Sequence, residues 1–263
     1  MAVADDVEPD LAAGDRLVGA DRVLAVLIAL AGRPEGATLD DLSRQVASPK
    51  PTVHRALASL SRAGLASKQG VGHYALGDEF LRLAFAHHAV RPDHLRVLPA
   101  LQELAERFGE TAHYAVLDEG EVVYRAKVDP PFGAVRLTST IGGRNPAHCT
   151  GVGKLLLAHH LSDEASVRRW VQRHALTRRT EKTITTTKAL WAELQQIRER
   201  GYAVDDQENE VGINCVAVPV RLGPTAAVDG AISVSALVYR TPLDALEREV
   251  DTIQKMATGN PST

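Results

Sequence analysis

From Asp21 onward the apolar residues recur at spacings that predict successive elements. Val23, Leu24, Leu27, Leu30 and Ala31 follow a helical period behind an Asp21 cap, and Gly32, Pro34 and Gly36 end that helix. A second helix is predicted from Thr38, with Asp40 and Asp41 in the first turn, where the helix dipole favours acids, and Leu39, Leu42 and Val46 on one face. A third runs from about Pro49 to Ala63 with Ser48 as its cap. Pro49 and Pro51 fall in its first turn, where backbone N–H groups have no helical partner and proline removes nothing needed. LASKQGVGHYAL then alternates around Gly70 and Gly72, the pattern of a β-hairpin. An apolar helix over 79–88 leads to Arg91-Pro92, which reads as a linker.

Beyond Leu95 the two periods mix. LRVLPALQELAERFG is helical, with Pro99 either kinking the helix or opening a new one, and TAHYAVLD and VVYRAKV alternate around the turn Glu119-Gly120 as a hairpin. Helices are predicted at 151–161, 163–173 and 187–200, strands at 213–220 and 228–236, and an amphipathic helix from Pro242 to Met256. Strands and helices interspersed without strict βαβ alternation predict an α+β domain with a largely antiparallel sheet. Residues 1–15 hold Asp5, Asp6, Glu8, Asp10 and Asp15, no Lys or Arg, and little apolar material, which predicts a disordered tail. The expected division is therefore a tail at 1–15, a three-helix and hairpin domain at 16–78, a connecting helix at 79–94 and an α+β domain at 95–260.

Composition narrows the class without naming a function. A chain of 263 residues suffices for two domains, and 44% hydrophobic with 24% charged residues is ordinary for a soluble globular protein. The longest apolar run, Val23 to Ala31, is half of the roughly 18 residues a membrane span needs, so no membrane partner is expected. Two cysteines make no disulfide framework, and the acidic N-terminus does not resemble an export signal, so free thiols and a cytoplasmic location are expected. A formal net charge of −3 predicts no nucleic-acid partner until it is mapped along the chain. Residues 42–77 contain Arg44, Lys50, Arg55, Arg62 and Lys68 and no Asp or Glu, the electrostatic footprint of phosphate binding. On a helical wheel Val53, Leu57 and Leu60 form the buried stripe of the third helix, while Arg55 and Arg62 point away with Thr52 and Ser59 beside them. Such a helix suits the major groove, where Arg reads guanine O6 and N7.

The segment SPKPTVHRALASLSRAGLASKQGVGHYALG resembles the N-terminal domain of the IclR family of bacterial transcription regulators. Pro49, Lys50, Thr52, Val53, His54, Arg55, Leu57, Gly64 and Leu65 fall at the pattern's places. Pro51 stands where Ser is usual, and Ala47-Ser48 where the turn normally carries Gly followed by an apolar residue. GGRNPAHCTGVGKLLLA, DDQENEVGINCVAVPV and GAISVSALVYR are similar to the family's effector-domain segments. The resemblance implies a winged helix-turn-helix followed by a GAF-like α+β effector-binding domain. It also implies a repressor or activator that binds double-stranded operator DNA as a homodimer or homotetramer under the control of a small-molecule effector; no cofactor is expected, and no motif spacing supports a metal site. Candidate DNA contacts are Arg44, Lys50, Pro51, Thr52, His54, Arg55, Ser59, Arg62 and Lys68. The positions implied for the effector site are Gly151, Val152, Asp205, Cys215, Ser233 and Ser235, with Asp206 an alternative to Asp205.

Elementary chemistry is consistent with that site. Gly151-Val152-Gly153 opens a helix whose free N–H groups suit an anion, and Ser233 and Ser235 share one side of a strand that Cys215 faces from a neighbour. Two other readings stand beside it. His113, His148, Cys149, Cys215 and Asp205 suggest a Cys-His-Asp hydrolase, although no G-x-S-x-G, C-x-x-C or H-E-x-x-H spacing occurs. A DNA-independent sensor is the third reading. Turnover identifies the hydrolase, and absence of duplex binding the sensor.

Overall fold

The computed structural model describes residues 19–89, 92–130, 137, 139–223 and 227–258. The acidic stretch at 1–15 and the Arg91 position of the expected linker lie outside these. The chain divides between Ala89 and Val90 into two compact units.

In the first unit, α1 (Gly19–Ala31) begins two residues before the expected Asp21 cap, so Asp21 lies in the first turn and is not the cap. Helix α2 (Leu39–Gln45) is closed by a reciprocal cap. The Thr38 hydroxyl accepts the Asp41 N–H at 3.2 Å and the Asp41 carboxylate accepts the Thr38 N–H at 3.3 Å. Helix α3 (Lys50–Arg62) is preceded by Pro49 and has no side-chain cap. The expected Ser48 cap is absent because its hydroxyl donates to the Val46 carbonyl at 3.2 Å instead. Strands β2 (Ala66–Lys68) and β3 (His73–Leu76) form the hairpin, and a two-residue strand β1 (Ala37–Thr38) joins it on the other edge in the order β1-β3-β2. Leu30, Leu42, Val53 and Leu57 are fully buried between the helices and this sheet. Each such side chain contributes roughly 1.5–3 kcal/mol. Helix α4 (Asp78–Ala89) completes the unit.

The second unit is a six-stranded antiparallel sheet with helices on both faces. Helix α5 (Pro92–Phe108) is continuous through Pro99, which lies on the exposed side with Leu95, so its missing N–H leaves a carbonyl that water can reach. Strands β4 (Thr111–Asp118) and β5 (Glu121–Val128) form the expected hairpin, and the short β6 (Arg144–Pro146) extends it. Helices α6 (Gly151–His160), α7 (Glu164–Arg173) and α8 (Thr187–Arg200) follow, then β7 (Ala203–Asp206), β8 (Ile213–Val220) and β9 (Gly230–Leu237). The strand order is β6-β5-β4-β9-β8-β7. The expected final helix is two helices, α9 (Leu243–Arg248) and α10 (Val250–Ala257), broken at Glu249.

Alternation along the strands builds two cores. Ala112, Tyr114, Val216, Val218, Ile232 and Val234 meet α5, α9 and α10 on one face. Ala115, Ala203, Ala217 and Ala231 floor the other, and these small side chains let α6 sit close. Leu190, Leu194 and Ile197 of α8 and Val167 and Trp170 of α7 cover α6 from outside, so every residue from Gly151 to Ala158 is buried.

Candidate nucleic-acid interface and ligand cavity

The outer face of α3 presents the polar residues that its period predicts. Pro51, His54, Arg55 and Arg62 are exposed and Thr52 and Ser59 half-buried, while Val53, Ala56, Leu57 and Leu60 point into the core. The Arg62 guanidinium donates to the Ser59 hydroxyl at 2.9 Å. Two cations of the basic stretch are matched by acids just outside it: Lys50 pairs with Asp40 at 2.8 Å, and Arg44 with Asp41 at 2.5 Å. Arg55 on the helix and Lys68 on the hairpin make no ion pair among the described residues and are exposed. The hairpin tip carries Val71, fully exposed between two glycines of positive φ. The Asp40–Lys50 pair was not legible in the sequence, because the two residues lie ten apart on separate helices.

In the second unit the sheet register assembles a polar patch beyond the alanine floor. Asp205, Cys215 and Ser235 are register partners on β7, β8 and β9. The adjacent row runs Ala217, Ser233, His113 and Lys127 across β8, β9, β4 and β5. The N-terminus of α6 overhangs these rows, with Thr150 as its cap accepting the Gly153 N–H at 3.2 Å. Between them lies a cavity of about 210 Å³. Gly151, Val152, Asp205, Cys215, Ser233 and Ser235 all line it. Asp206 does not; it is outside, paired with Lys182 at 2.7 Å.

Pattern reading missed much of the remaining wall. His113 and Tyr124, with ring centroids 4.9 Å apart, come from the β4–β5 hairpin, Asn145 from β6, and Ser139, Arg179 and Asn209 from loops. Only His113 carried a usable signal, since strand alternation puts it on the face of the sheet opposite Tyr114. The Tyr124 hydroxyl accepts the Asn145 amide N–H at 3.3 Å, and Arg179 donates to the Asn209 carbonyl at 3.1 Å. One His113 nitrogen meets the Ser139 hydroxyl at 2.7 Å and the other the Ser235 hydroxyl at 3.5 Å.

Burial sets the protonation states. Desolvation, with Lys127 nearby, pushes His113 down to about 3, so its ring is neutral. Desolvation pushes Asp205 up to about 7, although its carboxylate accepts the Glu208 N–H at 2.7 Å. The thiols of Cys149 and Cys215 are each pushed up to about 12 by burial, and Asp205 adds to both shifts. Protonated thiols are poor nucleophiles, and His148 is turned to the Thr177 carbonyl at 3.1 Å, so the Cys-His-Asp constellation is not assembled for attack.

The glycines at the start of α6 are packing residues. A Cβ on Gly151 would lie 2.7 Å from the Cys215 sulfur, and one on Gly153 would collide with the Ala147 backbone. Lys154, on the next turn, is 1% exposed; its ammonium pairs with Glu208 and with Glu193 at 3.4 Å. This pairing ties α6 to the 207–210 loop, which supplies Asn209 and Glu210 to the cavity rim. No helix among the described residues is long and apolar enough to cross a membrane, and no group of three or more potential metal ligands occurs among them.

Comparison with known proteins places both units. Residues 19–70 match the model of the IclR helix-turn-helix domain, and residues 94–259 that of the bacterial transcriptional regulator IclR C-terminal domain. The chain is 34% identical over 255 residues to the HTH-type transcriptional regulator KdgR of Escherichia coli K12, covering 95% of this chain and 92% of that protein. It is 31% identical over 234 residues to the Pca regulon regulatory protein of Pseudomonas putida, covering 89% and 79%. Among solved structures, an IclR transcriptional regulator from Alicyclobacillus acidocaldarius aligns with a TM-score of 0.78 at 26% identity over 92% of this chain and 98% of the other. An IclR homologue from Microbacterium hydrocarbonoxydans, complexed with 4-hydroxybenzoate, shares the fold with a TM-score of 0.74 at 24% identity, covering 90% and 97%. This chain belongs to the IclR family of bacterial transcriptional regulators, with a helix-turn-helix DNA-binding domain followed by an α+β domain.

Proposed function

We propose that the chain is a cytoplasmic, effector-controlled regulator of transcription whose α3 enters the major groove of an operator and whose α+β domain binds a small, anionic metabolite. The observation that carries the second half is convergence. Six residues from three separated segments of the sequence line one cavity over a single sheet face. The binding of 4-hydroxybenzoate by a protein of the same fold supports a small carboxylate as the class of ligand.

On DNA, Arg55 is the base reader, with Thr52 and His54 beside it, because it is exposed and not engaged by an acid. Lys68 supplies phosphate contact from the wing. Lys50 and Arg44 must first leave Asp40 and Asp41, so they contribute less. A single winged unit makes few base contacts, so the protein acts as a homodimer or homotetramer on a pseudo-palindromic site.

The experiment is selection of duplexes from a random pool, followed by titration of the selected site. Arg55→Ala is expected to cost roughly 1–3 kcal/mol and relax base preference, whereas Lys68→Ala weakens all sequences alike and lowers the salt slope by about one. Unchanged base preference in Arg55→Ala would show that another element reads the sequence.

A further inference from the structure

Resting on the effector-site reading above, we propose that the cavity is built for a small polyhydroxylated carboxylate, of the aldonic-acid kind, and not for an aromatic acid. The distinction follows from what lines it. Residues with hydrogen-bonding groups line it on every side: the first turn of α6 from above, Ser233 and Ser235 from the sheet, Asn145 from β6, and Asp205 from β7. Ser233 is 1% exposed, and its hydroxyl has no hydrogen-bond partner among the described residues although it lines the cavity. Among the described residues, apolar lining is confined to Leu137, Val152, Ile213 and the Tyr124 ring, too little to sandwich a second ring on both faces.

A benzoate-like ligand would cover the Ser233 hydroxyl without giving it a partner, and a buried polar group left unpaired is costly. A chain of hydroxyls satisfies it, each hydroxyl being both donor and acceptor. Neutral His113, held between Ser139 and Ser235, has one donating and one accepting nitrogen and so suits the same partners. The carboxylate of the ligand takes the α6 N-terminus, where Thr150 occupies the Gly153 N–H and the Cys215 sulfur the Gly151 N–H, leaving the Val152 N–H and the positive end of the helix to the ligand.

The test is calorimetric titration of the full chain with five- and six-carbon aldonates spanning the epimers at each carbon, against sorbitol, hexanoate and 4-hydroxybenzoate. At least one aldonate is expected to bind about tenfold or more tightly than the other three probes, and Ser233→Ala to weaken it about tenfold while leaving hexanoate and 4-hydroxybenzoate unchanged. Tighter binding of 4-hydroxybenzoate or hexanoate than of every aldonate overturns the proposal, as does aldonate binding indifferent to Ser233→Ala and Ser235→Ala. Ile213→Trp, which fills the cavity from its rim, separates the two levels. If an aromatic acid wins and Ile213→Trp abolishes it, the ligand class is wrong and the site stands; if no probe binds, or binding survives in folded Ile213→Trp, the effector-site reading fails as well.

Discussion

At Ala47, in the turn between α2 and α3, the backbone takes φ +46°, a conformation costly for any residue with a Cβ. This is the position where the IclR pattern carries glycine, so the departure visible in the sequence is a local strain in an otherwise conventional turn. Ala47→Gly is expected to stabilise the protein by about 0.5–1 kcal/mol, the relief of strain exceeding the added chain entropy, as read from the denaturation midpoint of the N-terminal unit. Asp205 offers a second residue-scale test. Its folded value near 7 lies above the ordinary 3.8, so the folded state holds a proton that the unfolded state releases between about pH 4 and 7. Its stabilising contribution is complete below about pH 4 and is lost as pH rises through about 7. His113, lowered from 6.5 to about 3, has the opposite effect, costing stability as pH falls from 6.5, so the two partly cancel in the whole-protein profile. Comparison with Asp205→Asn isolates the first. The wild type's stability relative to this variant is expected to fall steadily from pH 4 to pH 7 in chemical denaturation, and a flat difference would mean that Asp205 is ionised throughout. Glu208, Lys154, Cys215 and Tyr124 face this carboxyl and remain in both proteins.

Among the elements, those with a sustained period were legible and those without one were not. The α3 stripe, the β4–β5 hairpin and the strands at β8 and β9 follow directly from alternation or helical spacing. Strands β1, β6 and β7, of two to four residues, are all sheet edges, held by one neighbour only and too short to show a period. The break between α9 and α10 at Glu249 was equally invisible, because Leu246, Val250 and Ile253 keep their spacing through it. Lys154 shows the limit most clearly: it reads as one cation in an apolar helix, and only tertiary packing reveals that Glu193 and Glu208 enclose it. Removing one partner from a buried pair strands the other, so Lys154→Ala is expected to cost about 3–5 kcal/mol in urea denaturation. A loss under 1 kcal/mol would show that the pair is solvated in practice. The Gly151 contact with the Cys215 sulfur likewise makes Gly151→Leu a disruption of helix-on-sheet packing, and Ser233, Ser235 and Ile213 are the positions at which to interrogate the cavity.

For the whole molecule, the division of labour was readable because charge and pattern change together: a basic helix and hairpin precede a mixed α+β stretch. The convergence of Gly151, Asp205, Cys215 and Ser233 was legible through family resemblance and strand alternation, while Ser139, Arg179 and Asn209 sit on loops whose positions no period specifies. A regulator of this design must couple its two units energetically. Coupling free energies are typically about 1–3 kcal/mol, or roughly 5- to 150-fold in affinity, and are reciprocal between ligand and DNA. The most direct measurement is the affinity of the tightest-binding carboxylate for the free protein and for the protein saturated with its selected operator. The two values are expected to differ by at least about fivefold, with operator affinity shifting by the same factor when ligand is present. Equal ligand affinity in the two states would contradict the account, because a ligand that does not distinguish free from DNA-bound protein cannot control it.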